Sequence, residues 1–233
     1  MRTYTADLTS LGARHAILVT GGVAPDPALL AKARADYPDA LCYCADGGAD
    51  LCMRAHVVPD LLLGDMDSLS AAARNWITAA GVPQEIFPPE KNDTDTALAV
   101  DKLFAAGAEE IIVIGALGGR MDHELTNVME LVTSGRQGRS LVFWDDTNRL
   151  RYIGPGTHAL HKCAGYIGMI PFADSGMTLS IEGLYYTLDH YTVPFGASRL
   201  TSNEFADASE AHIDIHAGDG VLVICRDKNA LAK

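Results

Sequence analysis

Six short apolar runs, each followed by a polar loop, dominate the first 145 residues of the chain. Continuous apolar runs are typical of strands buried on both faces, and strands that alternate with helices form a parallel sheet. The pattern therefore predicts a doubly wound, mostly parallel α/β domain over residues 1–145. The runs occupy residues 16–19, 41–45, 61–63, 85–87, 111–114 and 141–144.

The segments between these runs carry helix signals at both ends. Asp26 precedes Pro27, and Ser70 precedes an alanine-rich stretch, so each can accept a backbone hydrogen bond at the start of a helix. Gly81 and Gly107 are placed where helices commonly end. We expect helices over residues 27–37, 49–55, 70–80 and 94–106, and a further one that ends near residue 134.

From residue 149 onward the pattern of the chain changes. Glycines at positions 154, 156, 165, 168, 176, 183 and 196 separate short apolar stretches. Short strands with frequent turns favour an all-β architecture. We predict a small antiparallel β-sandwich domain over residues 146–233.

Charge and composition restrict the function. The 233-residue chain has a formal net charge of -12 and no cluster of Lys and Arg, which excludes a nucleic-acid-binding surface. No apolar run reaches the length of a membrane span, and residues 1–7 lack the core of a signal peptide. The five cysteines match no zinc-binding spacing. The sequence predicts a cytoplasmic protein without nucleic-acid or membrane partners.

Four loops rich in Asp and Gly each follow a predicted strand of the α/β domain. Ligands of open α/β sheets bind outside the carboxyl ends of the strands, so we expect these loops to face one crevice. In Gly64-Asp65-Met66-Asp67-Ser68, two carboxylates lie one residue apart on one face and require a cation between them. The other loops are Asp46-Gly47-Gly48, residues 91–95 and residues 118–123.

These residue types suit a polyphosphate that is bound together with a metal ion. Glycine backbones and helix N-termini bind phosphate oxygens, and Lys91 and Arg120 add positive charge. The carboxylates would repel phosphates unless Mg²⁺ lay between them, which indicates Mg-nucleotide chemistry. Simpler roles stay open: the Gly64 motif as a surface turn, Asp46 and Asp93 as helix caps, Lys91 as a solvated charge, and Arg120 with Asp122 as a structural ion pair.

Five motifs, in order and with matching spacing, resemble the motif set of the thiamine pyrophosphokinase family. They are residues 44–50, residues 59–68, residues 90–95, residues 118–123 with Asn127, and residues 202–205. The resemblance covers about residues 15–225. It implies an α/β domain followed by a β-sandwich, and an enzyme, thiamine diphosphokinase. That enzyme transfers the β,γ-pyrophosphoryl group of ATP to the hydroxyl of thiamine and releases AMP, with Mg²⁺ as cofactor and as a homodimer with composite active sites.

The resemblance also implies roles for individual residues. The α/β domain would bind Mg-ATP and the sandwich would bind thiamine. Metal binding is implied for Asp65, Asp67 and Asp95, which form the catalytic group together with Arg120. Contacts to ATP are implied for Asp46, Gly47, Gly48, Lys91, Asp93, Thr94, Arg120, Asp122 and His123, and contacts to thiamine for Asp122, Asn127, Ser202 and Asn203. Because phosphoryl-type transfer depends mainly on positioning and on neutralised charge, we expect no covalent enzyme intermediate.

Two residues depart from the family pattern, and alternative functions remain. Met66 replaces the usual aromatic residue, and Asn92 stands where the family commonly has aspartate. The second departure makes Asp93 and Asp95 the stronger candidates for the metal or nucleotide role. The nearest alternative is a pyrophosphokinase for another primary alcohol, such as a hydroxymethylpterin. The others are a nucleotide-binding sensor, which has no need of clustered carboxylates, and a Mg-dependent phosphohydrolase, which has no need of the segment around Ser202.

Overall fold

A computed structural model describes residues 1–88 and 94–226 of the chain. The elements in chain order are β1 (Arg2–Tyr4), β2 (His15–Val19), α1 (Pro27–Asp36), β3 (Leu41–Ala45), α2 (Gly48–Ala55), β4 (Leu61–Gly64), α3 (Ala71–Ala79), β5 (Gln84–Ile86), α4 (Asp95–Ala105), β6 (Glu110–Ile114), α5 (Met121–Arg136), β7 (Ser140–Trp144), β8 (Asn148–Ile153), β9 (Gly156–His161), β10 (Tyr166–Pro171), β11 (Met177–Glu182), β12 (Leu188–Val193), β13 (Glu210–Ala217) and β14 (Gly220–Cys225). In the part of the chain that the structure describes, no helix is long and apolar enough to cross a bilayer.

The chain forms two compact units, which interleave along the sequence. The α/β unit comprises residues 14–130 and 143–146. Of the described residues, the β unit comprises residues 1–13, 131–142 and 147–226. The division of the chain at residue 145 into two functional domains stays a prediction, and the compact units differ from it in assigning the N-terminal segment and the end of α5 to the β unit.

The α/β unit is built on a parallel sheet with the strand order β6-β2-β3-β4-β5. Neighbouring strands are in parallel register, with Ala16 opposite both Leu41 and Ile111. All five residues of β6 are buried, as expected for a strand covered on both faces. The predicted parallel α/β fold is confirmed, and every predicted strand of this region is present.

Side chains at the helix N-termini fix where these helices begin. Asp26 accepts a hydrogen bond from the backbone N–H of Ala28 at 2.8 Å, and Ser70 Oγ accepts one from Ala73 at 3.1 Å. Both caps agree with the prediction. Each cap satisfies a backbone donor that the first turn of a helix leaves without a partner. The strand ends and helix starts at this edge of the sheet are thereby held in place.

The β unit contains two groups of strands. A five-stranded sheet has the order β1-β9-β13-β11-β12, and β10, β14 and β8 pair in that order. All of these pairs are antiparallel except β1 with β9, which is parallel. In β13 the residues alternate between buried and partly exposed, with Ala211, Ile213 and Ile215 inside. The predicted antiparallel domain is confirmed, and β1 adds one parallel edge strand to it.

Candidate active site

A cleft of about 750 Å³ opens at the carboxyl ends of the parallel strands of the α/β unit. Ligands of open α/β sheets bind at this edge, where the loops that leave the strands meet. Each of the four polar loops that were predicted to face one crevice contributes residues to this cleft, within the part of the chain that the structure describes. The lining residues are Thr20, Gly21, Gly22, Val23, Ala45, Asp46, Ser68, Thr94, Asp95, Thr96, Gly115, Ala116, Gly118, Gly119, Arg120, Asp122, His123, Thr126 and Asn127.

Asp46 joins two of these loops. Its backbone φ is 42°, and its Oδ1 accepts a hydrogen bond from the backbone N–H of Met66 at 3.1 Å. The carboxylate lies directly over Gly64, where an added Cβ would sit 1.8 Å from Oδ1. The structure thus gives Asp46 a different role from a cap of α2, which begins after Gly47 without a side-chain cap. Asp46 instead contacts the turn that carries Asp65 and Asp67 and helps to hold it in place.

The turn itself is held by further hydrogen bonds. The backbone N–H of Asp67 donates to Asp65 Oδ1 at 3.1 Å, and Ser68 Oγ donates to Asp67 Oδ1 at 2.7 Å. Met66 has a φ of 66° and is buried, while Arg74 Nη2 donates to the Met66 carbonyl at 2.9 Å. Asp67 is exposed. The buried methionine anchors the turn and presents the carboxylates of the neighbouring residues outward.

Negative charge is concentrated around Asp46. The pKa of Asp46 is raised to about 6, first by burial and then by the negative charges of Asp95 and Asp65, against the lowering effect of the hydrogen bond from Met66. Carboxylates grouped in this way provide the oxygen donors and the charge that Mg²⁺ requires. Among residues 1–88 and 94–226, no three His, Cys, Asp or Glu side chains form a ready-made metal site. The donor chemistry therefore fits Mg²⁺ held by one or two carboxylates together with phosphate oxygens.

Arg120 and Asp122 form a two-point ion pair at the cleft. Arg120 Nε donates to Asp122 Oδ1 at 3.1 Å, and Nη2 donates to Oδ2 at 2.6 Å. The hydrogen bond from Arg120 lowers the pKa of Asp122 to about 2. The two side chains are 74% and 63% exposed, and exposed pairs contribute little to stability. The guanidinium is therefore accessible to a ligand, even though it is paired.

Other predicted residues of the cleft already have structural partners. Thr94 Oγ1 accepts a hydrogen bond from Ala97 at 3.1 Å and caps α4. Asn127 Nδ2 donates to the Ala116 carbonyl at 2.7 Å, which ties α5 to the loop after β6. The backbone N–H of His123 donates to Asp122 Oδ1 at 3.0 Å. These bonds fix the cleft wall and leave the side chain of His123 at its surface.

Gly48 allows close approach of the chain at the start of α2. A Cβ on Gly48 would lie 2.3 Å from the Val19 carbonyl oxygen, whereas one on Gly47 would lie 3.4 Å from the Ser68 carbonyl oxygen, an ordinary contact distance. Larger residues at position 48 would separate α2 from β2. Lys91 and Asp93, which the sequence also assigns to ATP, lie outside the described residues.

Ser202 and Asn203 belong to the β unit. Asn203 is buried, and its Oδ1 accepts hydrogen bonds from the backbone N–H groups of Tyr186 at 2.9 Å and Glu204 at 3.0 Å. Its Nδ2 donates to the Tyr186 carbonyl at 2.8 Å. The side chain of Asn203 therefore holds the Tyr186 segment in place. Ser202 is exposed and has a φ of 59°.

Part of the cleft wall was not predicted from the sequence. Ser68, Gly118 and Gly119 belong to loops that were predicted to face the crevice, whereas the residues not predicted are Thr20, Gly21, Gly22, Val23, Ala45, Thr96, Gly115, Ala116 and Thr126. Residues 20–23 follow β2 directly, so the rule about carboxyl ends of strands identifies them as well. A Cβ on Gly22 would lie 2.1 Å from the Gly115 carbonyl oxygen, which shows how closely these two loops pack.

Comparison with known proteins gives one consistent family. The model of the thiamin pyrophosphokinase catalytic domain matches residues 38–143, and that of the thiamin pyrophosphokinase vitamin B1 binding domain matches residues 157–219. The thiamine pyrophosphokinase of Bacillus subtilis is 29% identical over 161 residues, which cover 68% of this chain and 75% of the relative. Thiamine pyrophosphokinase 1 of Arabidopsis thaliana is 28% identical over 226 residues, covering 84% and 81% of the two chains.

Solved structures agree with the sequence comparisons. The crystal structure of thiamine pyrophosphokinase from Bacillus subtilis superimposes with a TM-score of 0.81 at 26% identity, covering 91% of this chain and 99% of that one. Its counterpart from Geobacillus thermodenitrificans gives a TM-score of 0.78 at 26% identity, over 92% and 98%. Both compact units of the chain therefore have counterparts in solved proteins.

Proposed function

The chain belongs to the thiamin pyrophosphokinase family, and we propose that the cleft of the α/β unit is where it carries out the reaction of that family. The enzyme transfers a pyrophosphoryl group from ATP to thiamine and forms thiamine diphosphate. The match to a vitamin B1 binding domain disfavours another primary alcohol as acceptor. The observation that supports the location is that Asp46, Asp95 and the exposed guanidinium of Arg120 line the same cleft, with Asp65 close to Asp46 although it is not among the lining residues.

We propose that Mg²⁺ is the cofactor and that carboxylates among Asp65, Asp67 and Asp95 hold it together with phosphate oxygens of ATP. When bound, the ion neutralises phosphate charge and orients the triphosphate for in-line transfer. Asp46 keeps the turn of Asp65 and Asp67 in position through its hydrogen bond to Met66. Besides burial, the negative charges of Asp95 and Asp65 raise the pKa of Asp46, and a bound cation would offset the repulsion among these carboxylates.

The residues around the carboxylates would bind the nucleotide. Arg120 offers a planar fork of donors to phosphate oxygens, and it exchanges Asp122 for phosphate at little cost because their pair is exposed. Asp122 is then available for the hydroxyl of the acceptor. The full proposed set of ATP contacts is Asp46, Gly47, Gly48, Lys91, Asp93, Thr94, Arg120, Asp122 and His123.

Thiamine binding is proposed for Asp122, Asn127, Ser202 and Asn203. The hydrogen bonds of Asn203 and Asn127 make both of them positioning residues, because their amide groups hold the Tyr186 segment and the Ala116 loop. We further propose a homodimer with composite active sites, in which one protomer supplies the cleft and its partner supplies the Ser202 segment. A cytoplasmic location is proposed because ATP is the donor and the described cysteines are free thiols.

One assay tests the proposed chemistry. The purified protein is incubated with ATP and thiamine, with and without Mg²⁺, and AMP and thiamine diphosphate are quantified. We expect both products in equal amounts, only with the metal, and loss of both in Arg120→Gln. Formation of AMP without thiamine diphosphate would mean hydrolysis or another acceptor. Undiminished turnover after chelation of divalent ions would contradict the role of the metal.

A further inference from the structure

A second, smaller cavity of about 100 Å³ lies within the β unit and is lined by three arginines. Arg2 comes from β1, Arg139 precedes β7, and Arg151 comes from β8. Neither Asp nor Glu is among the lining residues. The complete lining is Arg2, Ser10, Gly135, Gly138, Arg139, Ser140, Leu141, Arg151 and Tyr152.

Arg151 forms the buried wall of this arginine pocket. Its side chain is almost fully buried, and Nη2 donates to Ser140 Oγ at 2.9 Å and to Ser10 Oγ at 3.3 Å. Nη1 donates to the Leu8 carbonyl oxygen. The guanidinium also lies 3.8 Å from the centroid of the Tyr4 ring. These contacts hold the charge of Arg151 in one position and bring two serine hydroxyls beside it.

Three positive charges around one small cavity are unusual in a chain whose formal net charge is -12. Tyr152, which also lines the pocket, donates to Asp219, but Arg136 holds both oxygens of that carboxylate at 2.6 and 2.9 Å. Burial lowers the pKa of His158, and the nearby charges of Arg2 and Arg151 lower it further, against the hydrogen bond with Gly154 and the negative charge of Asp214. The lining of the pocket therefore offers guanidinium and hydroxyl donors and no carboxylate, which suits an anion.

We propose that the arginine pocket binds a phosphate group. Guanidinium groups and serine hydroxyls are donors that match tetrahedral oxyanions, and bonds between charged partners are the stronger ones. The cavity has room for one phosphate group but not for a nucleoside triphosphate, which distinguishes it from the cleft of about 750 Å³ in the α/β unit. The occupant is free inorganic phosphate or the terminal phosphate of a small monoester.

Calorimetric titration of the full-length protein with inorganic phosphate, at constant ionic strength, tests this proposal. The variants Arg2→Gln and Arg139→Gln each remove one charge from the pocket without disturbing the buried Arg151. Arg54→Gln, on the exposed face of α2 outside both cavities, removes the same charge elsewhere and is the matched control. Arg120→Gln reports binding in the cleft of the α/β unit.

We expect phosphate to bind the wild-type protein and to bind each pocket variant at least ~10-fold more weakly, because each loses a charge-assisted hydrogen bond. Arg54→Gln should retain the wild-type affinity, and the binding event that depends on Arg2 and Arg139 should persist in Arg120→Gln. Loss of binding in Arg120→Gln with retention in Arg2→Gln and Arg139→Gln would place the anion in the cleft and overturn the proposal. Absence of phosphate binding to the wild-type protein would also overturn it.

A second titration, with glycerol 3-phosphate, distinguishes the two sources of the phosphate group. Binding of both ligands with the same dependence on Arg139 identifies a site for terminal phosphates. Binding of inorganic phosphate alone identifies a site for the free anion. The catalytic assay uses neither ligand, so a preparation that is inactive in pyrophosphoryl transfer can still be titrated with phosphate. Conversely, loss of the phosphate site would not contradict the proposed transfer reaction.

Discussion

At the scale of single residues, the geometry of the cleft depends on the carboxylate of Asp46, which forms a hydrogen bond to another loop of the protein. Asp46 accepts a hydrogen bond from Met66 and lies against Gly64, so it helps to fix the turn that carries Asp65 and Asp67. The turn in turn presents Asp67 to solvent. Substitutions at Gly64 and Asp67 therefore separate the geometry of the turn from its charge.

Gly64→Ala should damage both stability and activity. An added Cβ would lie 1.8 Å from Asp46 Oδ1, and the φ of 138° disfavours any residue with a side chain. Gly107→Ala is the control, because Gly107 also has a positive φ, of 97°, but open space around it. We expect Gly64→Ala to destabilise the protein by ~2 kcal/mol more than Gly107→Ala in urea unfolding, with turnover largely lost. Equal effects of the two changes would show that Asp46 moves aside freely.

Asp67→Asn should abolish activity while leaving the fold intact, because the exposed carboxylate contributes charge and is not needed for packing. Loss of a ligand to a catalytic metal costs several kcal/mol of transition-state stabilisation, so kcat should fall ~100-fold or more. Asp39→Asn, in an exposed turn outside the cleft, removes the same charge and should behave as wild type. Near wild-type turnover of Asp67→Asn at low Mg²⁺ would refute the metal assignment.

At the scale of elements, apolar periodicity was sufficient for most of the α/β unit. The strands β2, β3, β4, β6 and β7 coincide with the predicted apolar runs to within a residue at each end, because a buried parallel strand needs an unbroken apolar sequence. The three residues of β1 have no such signal, since their strand conformation depends on pairing with β9 far along the chain.

The candidate site was predictable only in part, because some of its contacts join residues that are far apart in the sequence. Loops that leave neighbouring parallel strands must meet, so Asp46, Asp95 and Arg120 could be assigned to one crevice from the sequence. The hydrogen bond from Met66 to Asp46 joins residues 20 apart in sequence and depends on tertiary packing. The structural use of the Asn203 amide was likewise invisible, because a sequence does not show which backbone groups a buried amide satisfies.

The end of α5 is tied to the start of β14 by an ion pair whose contribution should depend on pH. The hydrogen bonds from Arg136 lower the pKa of Asp219 below its ordinary value of 3.8, against the opposing effect of burial. A carboxylate with a depressed pKa stabilises the fold above its unfolded pKa, and that stabilisation is lost as the pH falls through the folded pKa. The stabilisation should therefore be complete at pH 7 and be lost progressively as the pH falls below about 4.

Asp219→Asn should accordingly lower the free energy of unfolding by ~2 kcal/mol at pH 7, and by less at pH 3.5 and below. Urea unfolding of the variant and of the wild type at a series of pH values measures this difference. Glu109→Gln, which breaks the exposed pair with Arg14, should change stability by no more than ~0.5 kcal/mol. A constant effect of Asp219→Asn from pH 7 to pH 3 would show that its charge is unimportant.

At the scale of the whole molecule, the proposed dimer can be tested by mixing inactive variants. Asp67→Asn damages the proposed metal site, and Asn203→Ala releases the Tyr186 segment that Asn203 holds. If each active site takes these residues from different protomers, a mixed dimer contains one intact site. Random exchange of protomers should then restore about a quarter of the wild-type activity.

The mixing experiment needs two controls. Circular dichroism must show that Asn203→Ala remains folded, since its amide is buried and holds a backbone segment. Isotope-labelled protomers must show by native mass spectrometry that exchange occurred. With exchange established, activity that stays absent in the mixture would rule out a site shared between protomers.

The pairing of β1 with β9 also affects how the chain is made. The ring of His158 accepts or donates a hydrogen bond at Tyr4, 154 residues earlier in the chain. At ~5–20 residues per second, the ribosome adds the partner strand roughly 8–30 s after the N-terminal strand. Residues 14–130 are complete before that time and can collapse first, while the N-terminal strand waits unpaired. A nascent chain that stops near residue 145 would therefore expose this strand to proteases and to aggregation.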